Sequence, residues 1–417
     1  MIGIDVEEIA RLDLGELEGN GQITGVRADS RVVGPGDLFV ALNTGTRFVE
    51  DARARGSATL VPRDQEDALA QIARLVRLRS DAKVVAVVGS AGKTTTKDIL
   101  GALCAPHVPT IWAEKSLNNE IGLPLTVCRL EPETRVLVTE MGMRGLGQVA
   151  ALCDIARPDV VVIPHIGPEH LELLGTVERV AEANAEAVAA LPPGGTAVVP
   201  ARAEPLEPFL TRTDVEYRRF GPNEIVRENG ATRFTLDGTT IVLELPFTQR
   251  HLALNTLAAL RAYAALGLPL DRAHEGVAGI RLSPWRGEEL GLPGDGFVVN
   301  DAYNANPDSM RAALEHLAER AGERRKIAIL GEMAELGATS DAYHRAVGEL
   351  AKDLGIQVVG VGEAARAYEP ASWARTSDEA LVLVRALVEP GDAVLVKASR
   401  SVGLEGFADE ITKVARA

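Results

Sequence analysis

Along this chain, short continuous apolar runs alternate with longer segments whose apolar residues recur every three or four positions. The runs VVAVV (84–88), RVLVTE (135–140), DVVVIP (159–164) and TAVVP (196–200) have the length and β-branched character of strands covered on both faces. Between the last two, TVERVAEANAEAVAALP has helical periodicity. The alternation returns toward the C-terminus as GFVVND, a helix from Pro307, KIAIL, a helix over 340–354, IQVVGV and DAVLVK. Strands and helices in this order predict parallel sheets. Near the start, DLFVAL reads as a strand and VEDARARGSATLVP as a short helix and strand. EDALAQIARLVRLRSDAK then reads as a charged helix leading into the first valine run. In TRFTLDGTTIVLEL, the Asp237-Gly238 pair between alternating runs predicts an antiparallel hairpin. The expected fold is α/β in three domains: a small N-terminal α/β domain (1–78), a central parallel-sheet domain (79–292) and a C-terminal Rossmann-like α/β domain (293–417).

Length and composition support this division without changing it. A chain of 417 residues suggests two or three domains. Aromatic residues make up only 4%, so the cores must be built from Val, Leu, Ile and Ala. A net charge of −15 argues against nucleic acid as a partner, because phosphate backbones need a basic face. Cys104, Cys128 and Cys153 are scattered and odd in number, which fits reduced, buried thiols. No apolar run approaches the roughly 20 residues that span a bilayer, and MIGIDVEEIARLDL lacks the basic start of a signal peptide. A cytoplasmic monomer with no membrane partner is the expectation.

The first chemistry lies in KVVAVVGSAGKTTTKDIL. Gly89, Ser90, Ala91, Gly92, Lys93, Thr94 and Thr95 follow a strand and open a helix, the context of a phosphate-binding P-loop. Glycines let backbone N–H groups turn toward an anion, and the helix N-terminus adds its positive dipole end. Lys93 can then reach the β- and γ-phosphates while the Thr94 hydroxyl ligates Mg²⁺. The spacing is unusual, since the position where the standard loop has its first glycine is Val87. The loop points to nucleotide binding, not to the reaction that follows. Ligands of such sheets sit beyond the carboxyl ends of the strands. Glu140 closes one strand, and His170 follows another in PHIGPEHLELLG. A carboxylate and an imidazole there could hold Mg²⁺, although a solvated strand end and a loop histidine would look the same. His165 is the weaker candidate.

GSAGKTT, SLNNEIGLPLT (116–126), TEMGM (139–143), IGPEHLELLG (166–175), NDAYNANPDSM (300–310), LGEMAELG (330–337) and KASR (397–400) occur in one order. That ordered set resembles the Mur ligases of peptidoglycan precursor synthesis, and DSRVVGPGDLFVAL (29–42) extends the likeness toward the N-terminus. YNANP and LGEMAELG are similar to the member that adds D-alanyl-D-alanine to UDP-N-acetylmuramoyl-tripeptide. The resemblance implies a UDP-binding first domain, a central ATPase, ATP and Mg²⁺ as cofactors, and those two molecules as substrates. It places Lys93, Glu140 and His170 on phosphate and Mg²⁺ positions, and Asn118, Asn119 and Asn255 near the nucleotide. Ser30 and Arg31 match a substrate-side motif. Asp301, Tyr303, Asn306, Lys397, Ser399 and Arg400 match positions facing ATP or the dipeptide, and Arg286 is a looser match at the domain boundary. Asn306-Pro307 would also read as the cap and first residue of a helix.

The implied reaction moves the γ-phosphoryl of ATP onto a carboxylate, and the dipeptide amine then displaces phosphate from the acyl phosphate. Such an intermediate must be kept from water, which suits a C-terminal domain that closes over ATP and brings Asp301 and Arg400 with it. The chain also departs from the family. Most members carry a carbamylated lysine as a second Mg²⁺ ligand where this chain has Asn184 in AEANAEA. Three readings follow: a weaker second ion, help from Glu186, or a site that works differently. Bicarbonate should then leave activity unchanged. Segment 42–52 lacks the family's usual insertion, TQRHLALN alters the surroundings of His251, and Asn300 replaces an aspartate. The competing readings are another amide ligase of the superfamily, such as a folylpolyglutamate synthase-like protein, and a non-catalytic precursor-binding relative.

Overall fold

The valine run after Lys83 is the spine of a six-stranded, wholly parallel sheet. The computed structural model describes residues 1–114, 117–228 and 230–414. In spatial order the central strands are Glu216–Phe220, Thr196–Pro200, Val160–Val162, Lys83–Val87, Val136–Glu140 and Thr110–Trp112. Val84, Ala86 and Val88 enter one apolar core while Val85 and Val87 enter another. Both faces of the central strand are therefore covered, which is why its sequence is apolar throughout rather than alternating. Two of the six strands, Thr110–Trp112 and Glu216–Phe220, lie outside the runs expected from the sequence. Both are edge strands, and an edge strand needs less apolar character to persist.

The predicted hairpin is present. Leu236 pairs with Thr239 across Asp237 and Gly238, whose φ values of 49° and 84° are both left-handed, as a two-residue turn of this kind requires. A third strand, Ile225–Glu228, completes a small antiparallel sheet over the second core.

The first unit holds a four-stranded sheet, ordered Gly15–Glu18, Ala58–Pro62, Asp37–Val40, Gly25–Arg27. The helix Gln65–Leu78 follows, capped by Asp64. Its buried face (Leu69, Ile72, Val76) packs on the helices Gly122–Val127 and Gln148–Ala156, which flank the central sheet. Arg74 pairs with Asp154 at 2.8 Å, and Arg77 donates to the Ala156 carbonyl at 2.7 Å. This helix thus lies against the central unit although it precedes the first central strand.

The C-terminal unit is a second six-stranded sheet, ordered Glu288–Gly291, Phe297–Asn300, Ala393–Lys397, Lys326–Leu330, Gln357–Val361, Ser372–Ala374. Only the first of these strands runs antiparallel to its neighbour. The helices Pro307–Ala321 and Ser340–Asp353 cover one face. Cys104, Cys128 and Cys153 are all buried and unpaired, and burial pushes each thiol up to about 12. Among the described residues no helix is long and apolar enough to cross a membrane.

Candidate active site

At the carboxyl end of Lys83–Val87 the chain turns through the glycine loop and enters the helix Lys93–Cys104. Two glycines make the turn feasible. Gly89 has φ +117°, and a Cβ on it would stand 2.7 Å from the His165 carbonyl oxygen. Gly92, the helix cap, has φ +79°, and a Cβ there would stand 2.6 Å from Asn255 Oδ1. Both sites therefore exclude a side chain by conformation and by space. Neighbouring elements pin the loop. The Gly89 N–H donates to Asn184 Oδ1 at 2.5 Å, and the Ser90 N–H to the His165 carbonyl at 2.9 Å. The first amides of the following helix have no carbonyl partner within it, so this end is the natural seat of an anion.

The groups expected at the site converge on one cavity of about 860 Å³. Ser90, Ala91, Gly92, Lys93, Thr94, Thr95, Asn118, Asn119, Glu140, His170 and Asn255 line it from the central unit. Arg286, Asp301, Tyr303, Asn306 and Lys397 line its opposite wall. Lys93 Nζ bonds to the Gly89 carbonyl and lies 3.4 Å from both oxygens of Glu169. Glu140 Oε1 accepts from Asn118 Nδ2 at 2.7 Å, whereas the buried Oε2 has no hydrogen-bond partner. Asn119 Oδ1 caps the backbone N–H of Gly122 at 2.9 Å. Ser116, which opens that motif, is outside the described residues.

His170 has φ +53°, uncommon for a residue with a side chain. Its ring Nδ1 pairs with Glu335 Oε2, and Glu335 is itself left-handed at φ +61°. The Glu335 carbonyl also accepts from the Glu172 N–H at 2.9 Å. Glu335 thereby fixes the imidazole from the C-terminal unit. A carboxylate on Nδ1 selects the tautomer protonated there and leaves Nε2 as an acceptor, 3.7 Å from Glu169 Oε1.

Mg²⁺ fits these residues. The orphaned, buried Glu140 Oε2 is a hard oxygen donor in want of a partner, in the same cavity as the Thr94 hydroxyl and His170. Among the described residues no three His, Cys, Asp or Glu side chains group tightly enough to hold an ion unaided. An ion here would be shared with phosphate oxygens, as Mg²⁺ commonly is.

On the opposite wall, Lys397 is 2% exposed and reaches Asp301 Oδ2 at 2.5 Å and the Asn304 carbonyl at 2.9 Å. The Arg286 guanidinium sits 3.9 Å from the Tyr303 ring centroid, and its Nε is buried without a partner. Asn306 does two jobs. Its Oδ1 caps the helix Pro307–Ala321 by accepting from the Ser309 N–H at 2.8 Å, and its Nδ2 donates to the Ser90 carbonyl at 3.3 Å. The helix cap is also a contact with the phosphate loop.

Several expected residues stand elsewhere. Asn184 is 1% exposed and off the cavity wall: its oxygen is spent on the Gly89 N–H and its Nδ2 on the Val180 carbonyl at 2.8 Å. In the structure it braces the loop. Glu186 accepts from the N–H groups of Gly147 and Ala150, capping the helix Gln148–Ala156. Ser399 Oγ lies between the Ala334 N–H at 2.9 Å and the Ala305 carbonyl at 3.4 Å, facing backbone rather than a substrate. Arg400 is exposed, 3.6 Å from Glu405; it is not in the cavity lining, but its guanidinium lies 5.6 Å from the ring centroid of Tyr303 on the cavity wall. Ser30 and Arg31 lie on the surface of the first unit, Arg31 clamped to Asp29 at 2.7 Å. His165, by contrast, does line the cavity and pairs with Asp308 at 2.8 Å across the units.

Sequence reasoning missed Glu169, Asp308, Glu335, Arg144 and Arg311, all near or on the cavity. Glu169, Asp308 and Glu335 each carried a signal, since they fall inside IGPEHLELLG, NDAYNANPDSM and LGEMAELG, motifs already singled out. His251 lines the cavity as well, and burial holds its imidazole down to about 4, so it stands uncharged at neutral pH.

A parallel-sheet P-loop site walled on its far side by a second α/β unit defines a nucleotide-dependent enzyme that encloses its ligands. A family model described as Mur ligase middle domain matches residues 87–263, and one described as Mur ligase, glutamate ligase domain, matches residues 285–400. The chain belongs to the Mur ligase family. It is 32% identical to UDP-N-acetylmuramoyl-tripeptide–D-alanyl-D-alanine ligase of Escherichia coli K12, over 97% of each chain. To the Bacillus subtilis 168 protein of that name it is 30% identical, over 99% of each. It superposes on MurF from Acinetobacter baumannii with TM-score 0.85 and 27% identity, covering 99% of both chains. For MurF from Thermotoga maritima in complex with ADP the values are 0.82 and 28%, covering 94% of this chain and 98% of that one.

Proposed function

We infer that this chain is an ATP-dependent ligase that adds D-alanyl-D-alanine to UDP-N-acetylmuramoyl-tripeptide, giving the UDP-muramoyl-pentapeptide, ADP and phosphate. The observation that carries this reading is full-length similarity to ligases of that name, joined to a cavity where a P-loop faces Asp301, Lys397 and Arg286. The ADP held by the Thermotoga relative supports the nucleotide.

The tripeptide carboxylate attacks the γ-phosphorus, the bond to the β-bridging oxygen breaks, and ADP leaves. The dipeptide amine then attacks the acyl carbon, loses a proton, and expels phosphate. Both substrates of the first step are anions, so the protein's contribution is to hold them together and neutralise their charge. Lys93 is assigned to the β- and γ-phosphates, and the loop amides to the phosphate oxygens. Thr94, Glu140 and His170 would hold Mg²⁺, which would supply charge neutralisation on the transferring group. Asp301, Tyr303, Asn306, Lys397 and Arg286 are assigned to the ATP and dipeptide side, and Ser30 and Arg31 to the UDP-substrate side. The C-terminal wall keeps water from the acyl phosphate. Residues 1–78, 79–292 and 293–417 are the proposed domains, with the strand Glu288–Gly291 crossing the second boundary to pair in the C-terminal sheet; a monomer is proposed, and the three buried thiols suit the reducing cytoplasm.

Mass spectrometry of a reaction containing ATP, Mg²⁺, UDP-tripeptide and D-alanyl-D-alanine should show the pentapeptide product with one ADP per bond formed. ATP turnover without that product, or with another acceptor preferred, would overturn the assignment.

A further inference from the structure

Glu169 is a buried carboxylate with a cation on one side and an imidazole on the other. It is 8% exposed and lines the cavity; both its oxygens lie 3.4 Å from Lys93 Nζ, and Oε1 lies 3.7 Å from His170 Nε2. A triphosphate seated on the loop would claim Lys93 and bring several negative charges beside Glu169. Like charges in a poorly solvated site repel strongly unless a cation arrives with them. His170 is already set to receive one, because Glu335 occupies Nδ1 and leaves the Nε2 lone pair free. Neighbouring ligands about 2.1 Å from an octahedral Mg²⁺ stand ~3.0 Å apart, so the 3.7 Å between Glu169 Oε1 and His170 Nε2 has to close by less than about 1 Å for the two to share an ion. Independently, Glu140 Oε2 is buried and unpartnered in the same cavity.

We propose that Glu169 exchanges partners: it neutralises Lys93 in the nucleotide-free enzyme and, once a nucleotide draws Lys93 away, joins His170 Nε2 in ligating a divalent cation. The exchange rests on the nucleotide-binding part of the functional reading and on no step of the chemistry. Lys93 and the cation are then loaded in concert, and metal-free nucleotide must compete with Glu169 for its lysine.

The test uses the full chain and β,γ-imido-ATP in two titrations. Calorimetry in EDTA measures metal-free affinity, and the electron paramagnetic resonance of added Mn²⁺ measures metal affinity of the enzyme–nucleotide complex. Glu169→Gln should bind the metal-free analogue at least threefold more tightly and Mn²⁺ at least tenfold more weakly. Opposite signs distinguish exchange from structural damage, which would weaken both. Weaker metal-free binding, or unchanged Mn²⁺ affinity, overturns the proposal. Glu169→Ser, with the same two expected signs, serves if the glutamine variant does not fold. A wild-type chain that binds no analogue in either titration would instead refute the nucleotide reading.

Discussion

The brace at Asn184 gives the sharpest mutational forecast. In Asn184→Ala the Gly89 N–H loses its acceptor inside a buried turn, while the Val180 carbonyl keeps its helical partner. An orphaned buried donor costs about 1–3 kcal/mol, equivalent to roughly 5- to 150-fold in an equilibrium constant at ~1.4 kcal/mol per tenfold. Where the loss appears depends on which state relaxes. If the loop stays in place, the folded central unit carries the cost and its urea midpoint falls. If the loop swings its N–H to water, the nucleotide must restore the turn and its affinity falls. Both quantities should be measured for wild type and variant, with calorimetry of β,γ-imido-ATP in EDTA and again in Mg²⁺. The affinity loss should be the same in the two buffers, and added bicarbonate should leave the wild-type rate unchanged. A variant with wild-type stability whose binding weakens only in Mg²⁺ would show that Asn184 is a metal ligand after all.

Lys93→Ala should bind nucleotide weakly and lower the rate of pentapeptide formation at least about a hundredfold, the scale of losing one charge-stabilising donor; a rate within threefold of wild type would remove the P-loop from the reaction. Gly92→Ala must hold φ near +79° with its methyl against Asn255 Oδ1. It should lose about 1–2 kcal/mol, read as weaker analogue binding by calorimetry, and unaltered affinity would count against the loop geometry. His251 should make the fold acid-sensitive. Its folded value is lowered from 6.5 to about 4, so between those values the unfolded chain binds a proton that the native one does not. Stability therefore falls as pH drops through that window. Comparing urea midpoints at pH 7 and pH 5, His251→Gln should lose less than wild type; equal losses would refute the assignment.

The valine runs made the two large sheets legible because strands buried on both faces leave an unbroken apolar trace. The hairpin was legible because Asp-Gly is one of few pairs that can hold two successive left-handed residues. The edge strands were not, since Glu216–Phe220 reads as a charged loop until its neighbour supplies the ladder. At the site, the loop, Lys93, Thr94 and Glu140 could be named because strand, turn and helix mark their places locally. Glu335 and Asp308 lay within quoted motifs, but their roles could not be named. Each looks like a solvated charge in its own segment, and only the folded chain brings them to histidines 165 and 143 residues away. Asn184 shows the converse: its sequence marked only a departure from the family, and the fold supplies a reason for an amide there, a hydrogen bond to the Gly89 N–H.

The sealed state of Cys104, Cys128 and Cys153 has a practical corollary. Maleimide dyes attack thiolates that solvent can reach, and these three thiols are neither ionised near neutral pH nor accessible. New thiols could therefore be installed and labelled without first stripping the native ones. Leu78→Cys and Val382→Cys fall on exposed helix faces of separate units, so a fluorophore pair at these sites would report any change in the distance between those units during single turnovers.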